Sequence, residues 1–385
     1  MIRNDWLDKK IEKTDILPDK IYDAWRLRML NQEDFHNLTI QDQLLYLSHF
    51  GLLAPSTHNS VPERFKIIPE ESAIELWLDR KFILKASDAV GREACISLGC
   101  TMTNIEIAAK YYQYETSRKF FTITSNDILP FEEKGKRYAR IAKLTLKKGS
   151  RTLEKKWIAA IINRKVVRSE YDERKKPSEI IKKQLQQLSK KLFRSLSLRI
   201  ITDKAEIYKL GKFEEMATRS VFENDRFALE LGSLLLPNKN KNSVIGMRGQ
   251  EFGFDDQFSE RIHKGLLHEI RLLPDEIAAL ATGGKIAMKS SPAIGIISVS
   301  EDSIEQRIYA GALYEYIALL LSMNGFFTAF HAGIVEVDRV NRMLSVFLKT
   351  VERPTVVFRI GKPLNSKDLN RPHSARPQIE EVLLT

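Results

Sequence analysis

Apolar positions along the chain follow two periods, and the switches between them mark the elements. From residue 40, "IQDQLLYLSHFGLLAP" spaces its apolar residues as a helix does and stops at Pro55. Ser56, Thr57, His58 and Asn59 then crowd a turn, and "ERFKIIPEESAIELWLD", residues 63–79, reads as a pair of strands. A long helical pattern follows, "GREACISLGCTMTNIEIAAKYYQY" (91–114), and then a strand, "KFFTITS" (119–125). The order returns later in the chain. The strand "SPAIGIISVS" (291–300) precedes the helix "RIYAGALYEYIALLLSMNGFF" (307–327), and the strand "RPTVVFRIGKP" (353–363) comes after. Both long helices are apolar around most of their circumference, with Leu98, Met102, Ile105 and Ala109 marking one and Leu313, Ile317, Leu320 and Leu321 the other. Such helices are buried on several sides, so the pattern predicts that the two pack against each other in a pseudo-symmetric core.

Short strands among helices of 12 or more residues place the chain in the α+β or α/β class rather than among helix bundles. The cluster "KKGSRTLEK", residues 147–155, suits a boundary, dividing the chain into halves 1–150 and 151–385. No apolar run reaches the roughly 18 residues that span a membrane. The opening "MIRNDWLDKKIEKTD" is charged without an apolar core and does not read as a secretion signal. Cys95 and Cys100, five residues apart on one helix, point about 140° away from each other, so they are expected to stay unpaired, in a reducing, cytoplasmic setting.

Charge adds a question about partners. The net charge is +11. The excess lies in basic stretches read as helical faces, around "KLTLKK" (143–148) and in "ERKKPSEIIKKQLQQLSKKLFR" (173–194), where Ile180, Ile181, Leu185, Leu188 and Leu192 recur at helical spacing opposite lysines. No aromatic-interleaved basic motif or zinc-finger spacing accompanies them, so nucleic acid is not the expected partner, and an anionic small molecule such as a phosphate ester suits the charge.

Signatures of nucleophilic, Walker-type and zinc hydrolases are missing, and no pair of histidines has metal-ligand spacing on one face. "GMRGQEFGF" (246–254) is glycine-rich but follows no clear strand and opens no helix, which predicts a mobile surface loop. Three features remain. At the first, Pro55 rigidifies a turn where Ser56 and Asn59 offer short donors and acceptors; a capped loop and a ligand contact both fit. At the second, "AAIINRKVVRSEYD" (159–172), Arg164, Lys165 and Arg168 crowd within a few residues, and either an anion or the nearby Glu170, Asp172 and Glu173 would relieve their repulsion. The third is the tail, "RPHSARPQIEEVLLT", basic at Arg371, His373 and Arg376 and amphipathic beyond Pro377, so part of it should be docked.

Taken in order, these segments resemble the FMN-dependent nitroreductase superfamily, and within it the fused, double-length Acg-like branch. "APSTHNSVPERFKI" is similar to the A-P-S-x-x-N-x-Q-P-W-x-F segment of that superfamily, and "LDRKFILKASDAVGREACISLGCTMTNIEIAA" to the D-R-x-R…D-x-x-G-R-E-x-x-I-S-x-G stretch of the fused branch. "NRKVVRSEYD" resembles the flavin-phosphate segment R-R-S-x-R-x-F, "NGFFTAFHAGIVEV" the segment at the flavin ring edge, and "RPHSARPQIEEVLL" the basic tail. The likeness covers residues 40 to 383. It implies a nitroreductase-like α+β fold of two pseudo-symmetric halves, each a mainly antiparallel sheet flanked by helices, so that one chain forms the pseudo-dimer. It implies FMN as cofactor, with NAD(P)H and a small-molecule electron acceptor as partners. Arg164, Lys165, Arg168 and Arg376 would hold the flavin phosphate, with His373 as a substitute for Arg376. Pro55, Ser56 and Asn59 would contact the isoalloxazine, and the backbone of Ala332 and Gly333 would face its N5 and O4 edge. No catalytic side chain and no metal is called for. The Pro-Ser-x-x-Asn segment occurs only in the first half and the basic segments only in the second, which implies one flavin per chain. Residues 230–256 resemble a lid. Val61-Pro62-Glu63 and Lys165-Val166 depart from the family's Gln-Pro-Trp and Arg-Ser.

Overall fold

The computed structural model describes residues 20–132, 135–150 and 152–385. The charged opening stretch up to residue 19 lies outside the described residues. Among these residues no helix is long and apolar enough to cross a membrane.

The first α-helices among the described residues are α1 (Gln32–His36) and α2 (Ile40–Leu52), the latter capped by Thr39, whose hydroxyl accepts from Asp42 N. The hairpin β1 (Glu63–Ile68) and β2 (Ala73–Asp79) pairs Glu63 with Leu78 through to Ile68 with Ala73. Helix α3 (Arg92–Tyr111) leads to β3 (Tyr114–Phe120) and β4 (Tyr138–Lys148). After α4 (Lys155–Asn163) and α5 (Glu179–Leu192) comes β5 (Leu196–Ile201). A helical excursion follows: α6 (Lys204–Phe222), α7 (Asp225–Leu234), the two-residue strands β6 (Leu235–Leu236) and β7 (Met247–Arg248), α8 (Asp256–Leu266) and α9 (Pro274–Lys289). The chain ends with β8 (Ala293–Val299), α10 (Ile304–Met323), β9 (Phe327–Phe330), α11 (Gly333–Glu336), α12 (Asp338–Leu348) and β10 (Arg353–Gly361).

Two four-stranded antiparallel sheets organise this list, in the orders β1-β2-β4-β3 and β5-β8-β10-β9. In each, the third and fourth strands in sequence exchange places, and the long helix (α3 or α10) connects the second strand to the third. The chain is therefore α+β, with the same strand order used twice. The long helices pack on each other at the centre. A Cβ on Gly99 would lie 1.9 Å from Ile308 O, and one on Gly311 1.9 Å from Ile96 O, so each glycine admits the other helix's backbone. The cores interlock accordingly: Ile308 and Leu319 of α10 belong to the apolar cluster of the first sheet, and Ile96 and Cys100 of α3 to that of the second.

Three sequence expectations change. The strand after α3 begins at Tyr114, not Lys119, because the helix ends at Tyr111 and Gln113 turns the chain with φ 59°. "KLTLKK" lies in β4, a central strand whose alternate residues Ala142, Leu144 and Leu146 are buried; lysine spacing on a two-period strand had the look of a helical face. On α5, Ile181 and Leu185 are buried, but Ile180 is 70% and Leu192 42% exposed, so the apolar stripe is narrower than its sequence spacing suggests. The tail docks: Ala375, Ile379 and Val382 are buried, and Leu384 N donates to Phe65 O at 2.7 Å. Both cysteines are buried and free.

Candidate functional site

Extended backbone beyond α4 builds one wall. The helix stops at Asn163, and Val166 bridges Thr328 of β9 in parallel, with Val167 N donating to Thr328 O at 3.2 Å. Arg164, Lys165 and Arg168 thus lie along an added strand, not on a continued helix. Buried Arg359 anchors this strand by donating to the carbonyls of Arg168 (2.8 Å) and Ser169 (3.1 Å).

The opposite wall is the turn after α2. His58, Asn59 and Val61 all take left-handed φ (51°, 56° and 47°), an uncommon conformation and a strained one for β-branched Val61. The turn is held from within and without. Ser56 Oγ accepts from Val61 N at 3.0 Å, and the Asn59 amide donates to the carbonyls of Val244, Gly246 and Ala375, each at 3.1 Å.

Between these walls lies a small pocket lined by Pro55, Ser56, Asn59, Arg164, Lys165, Arg168 and Arg376, together with Trp25, Glu251 and His373. Seven of the nine residues singled out from the sequence meet here. The other two, Ala332 and Gly333, line a larger cavity of about 640 Å³ that shares Ser56, Arg168 and Phe330 with the pocket. Phe252, Phe254, Phe258 and Leu235 make much of that cavity apolar. Ala332 and Gly333 open α11, where the first N–H groups have no acceptor within the helix.

The cations are not equivalent. Buried Arg376 donates to Leu52 O (2.9 Å), Ala54 O (2.7 Å), Ala375 O (2.9 Å) and Asn59 Oδ1, and Arg164 donates to Leu53 O at 2.8 Å. Both therefore serve the carbonyls at the end of α2. Arg164 Nε also lies 3.2 Å from the buried carboxylate of Glu315. Lys165 Nζ donates to Leu369 O (2.6 Å) and to Arg371 O. Arg168 pairs with Glu251 at 2.8 Å and lies over the Phe252 ring. The acidic neighbours in sequence do not neutralise this group: Asp172 pairs with Arg174 and Lys175, and Glu173 with Lys204.

The pocket's potential registers in its titratable groups. His373, stacked on Trp25 at 4.1 Å, is pushed down to about 3 by burial and then by Lys165, Arg164 and Arg376. Arg376 falls to about 10 through burial and then Arg164. A buried site that disfavours further positive charge attracts anions.

Several residues escaped sequence reasoning. Glu251 belongs to "GMRGQEFGF", read as a mobile surface loop. Met247, Arg248 and Gly249 are instead buried, and Gly246 N donates to Asn59 O at 3.1 Å. Glycines there permit close packing, which sequence alone does not separate from mobility. Trp25 carried no periodic signal. Glu93, inside a quoted motif, and His58, inside the turn, were visible without an assigned role.

No family model and no curated protein matches the chain. Among solved structures it is similar to the FMN-dependent nitroreductase NfnB of Mycobacterium smegmatis, in complex with NADPH, at 11% identity over 60% of this chain and 98% of that one, with a TM-score of 0.39. Iodotyrosine deiodinase bound to FMN and 3-iodo-L-tyrosine matches at 13% identity over 58% and 95% of the two chains, with a TM-score of 0.36. A putative NADH oxidase of Clostridium acetobutylicum matches at 11% over 57% and 92%, with a TM-score of 0.31.

Proposed function

We propose that the chain binds one FMN in the cleft between halves 1–150 and 151–385, which together form a pseudo-dimer, and acts as a nitroreductase-type oxidoreductase. The observation that supports this reading is the meeting of Pro55, Ser56 and Asn59 with Arg164, Lys165, Arg168 and Arg376, over 300 residues of chain, at one pocket opening into an apolar cavity. These residues suit the cofactor. A phosphate dianion requires cations against it, and a flat apolar ring system requires an apolar cavity of a few hundred Å³.

Within the proposed site the cations divide the work. Arg168 and Lys165 would donate to the phosphate, while Arg164 and Arg376, already bonded to the end of α2, would contribute charge. Pro55, Ser56 and Asn59 would flank the ring, and the N–H groups of Ala332 and Gly333 would face its N5 and O4 edge, steadying negative charge there. When bound, FMN supplies two-electron transfer, in ping-pong order, from NAD(P)H to a nitroaromatic, quinone or similar acceptor. No side-chain acid or base is required for that transfer. Two free buried cysteines accord with a reduced, cytoplasmic setting.

A second reading, FMN sequestration under a closed lid, draws on segment 230–256. Asn59 ties that segment to the tail, and Glu251 holds Arg168. Purified protein should be yellow after gel filtration; colourless protein that takes up no added FMN excludes both readings. Anaerobic NADPH then separates them: bleaching on the timescale of turnover supports the reductase, and persistent colour supports storage.

A further inference from the structure

Along the 640 Å³ cavity, beside the turn that also lines the basic pocket, the chain collects acid. Glu93 is the second residue of α3, Glu336 the last of α11, and His58 the middle of the strained turn. One ligand atom from each of the three lies within 4.8 Å of the others. All three line the cavity.

The two carboxylates meet each other, yet one polar atom of each of the three residues lacks a partner. His58 Nδ1, Glu93 Oε2 and Glu336 Oε1 are buried and make no hydrogen bond, and Glu93 as a residue is only 5% exposed. His331, 7% exposed on the same cavity, holds Glu214 through Nδ1 at 3.0 Å and leaves Nε2 unpartnered. Leaving buried polar atoms unsatisfied is costly, so several facing one cavity point to a ligand there.

The local charge says what sign that partner has. Asp88 caps α3 through Glu93 N (3.1 Å) and Ala94 N (3.0 Å), adding a buried carboxylate beside Glu93. The nearby cations are engaged elsewhere: Arg92 pairs with Asp302 at 3.1 Å and Arg168 with Glu251. A proton can relieve one carboxylate, but it cannot satisfy an imidazole nitrogen and two carboxylate oxygens together. A divalent cation can.

We propose that His58, Glu93 and Glu336 bind a divalent first-row transition ion, one per chain. One imidazole nitrogen and two carboxylate oxygens suit Zn²⁺, Mn²⁺ or Fe²⁺, and three protein ligands leave a coordination position open to the cavity for water or a substrate oxygen. The three ligands come from segments some 35 and 240 residues apart, which is why histidine spacing in the sequence carries no sign of them. The proposal does not depend on flavin.

The test uses the full chain, stripped with a chelator and titrated with Zn²⁺ by calorimetry, with bound metal measured by elemental analysis after desalting. The expected result is one Zn²⁺ per chain, with affinity weakened at least tenfold in His58→Ala and in Glu336→Gln while their circular dichroism stays native. Co²⁺ added to the unaltered chain gives a second reading that needs no variant: visible d–d bands that Zn²⁺ displaces at one equivalent. No bound Zn²⁺ and no Co²⁺ bands overturn the proposal, as does undiminished affinity in both variants.

Discussion

At the scale of single residues, the four cations of the basic pocket separate into two kinds, and substitution distinguishes them. Arg168 pairs with Glu251, whose carboxylate also accepts from Arg248 N and Ser374 Oγ, so its removal leaves little unsatisfied. Arg168→Ala should therefore stay folded and lose FMN, measured as flavin absorbance per chain after gel filtration; full occupancy refutes its phosphate role. Arg376→Ala strips donors from Leu52 O, Ala54 O and Asn59 Oδ1. It should cost at least about 2 kcal/mol of stability, read as a lowered thermal midpoint even without flavin. His373 yields a pH prediction. Its folded value near 3 lies below the unfolded 6.5, so the unfolded chain binds the extra proton between them. The stability linked to this group is complete above pH 6.5 and is lost as pH falls toward 3. The thermal midpoint of His373→Gln should fall less steeply over that range than that of the unaltered protein; parallel curves would show that His373 is not buried among cations.

At the scale of elements, the crossing of α3 and α10 is decided by two glycines. In a helix interior Gly→Ala ordinarily gains up to about 1 kcal/mol. Here the added methyl meets a carbonyl of the facing helix rather than a flexible side chain. Gly99→Ala and Gly311→Ala should each destabilise by about 1–3 kcal/mol, seen as a lower melting midpoint. A neutral or stabilising effect would mean that the helices do not approach so closely. The helical pattern of both elements was legible in sequence because their apolar positions recur at 3.6-residue spacing, and Gly99 falls within the quoted "ISLGC". The reciprocal contact was not legible, since it depends on which face of each helix meets the other. Strand β4 was missed because its lysines alternate with apolar residues over a span short enough to fit either period.

At the scale of the whole molecule, the repeated strand order and a basic pocket lined from both parts of the chain make a stoichiometric prediction. Titration with FMN should saturate at one per chain, followed by fluorescence quenching; saturation at two would give the other half a site of its own. The opening turn, the basic run after α4 and the docked tail could each be picked out in sequence, because short polar side chains after a proline and crowded cations are local facts. The sequence by itself determined a mixture of strands and helices rather than a helix bundle, the two long buried helices and the residue types able to meet an anion. Only the tertiary structure decided that Arg164 and Arg376 spend their donors on the end of α2, that Glu251 faces Arg168, and that His58, Glu93 and Glu336 converge. The reason is physical: periodicity and turn chemistry act over a few residues, whereas hydrogen-bond satisfaction and charge balance depend on groups brought together from distant parts of the chain.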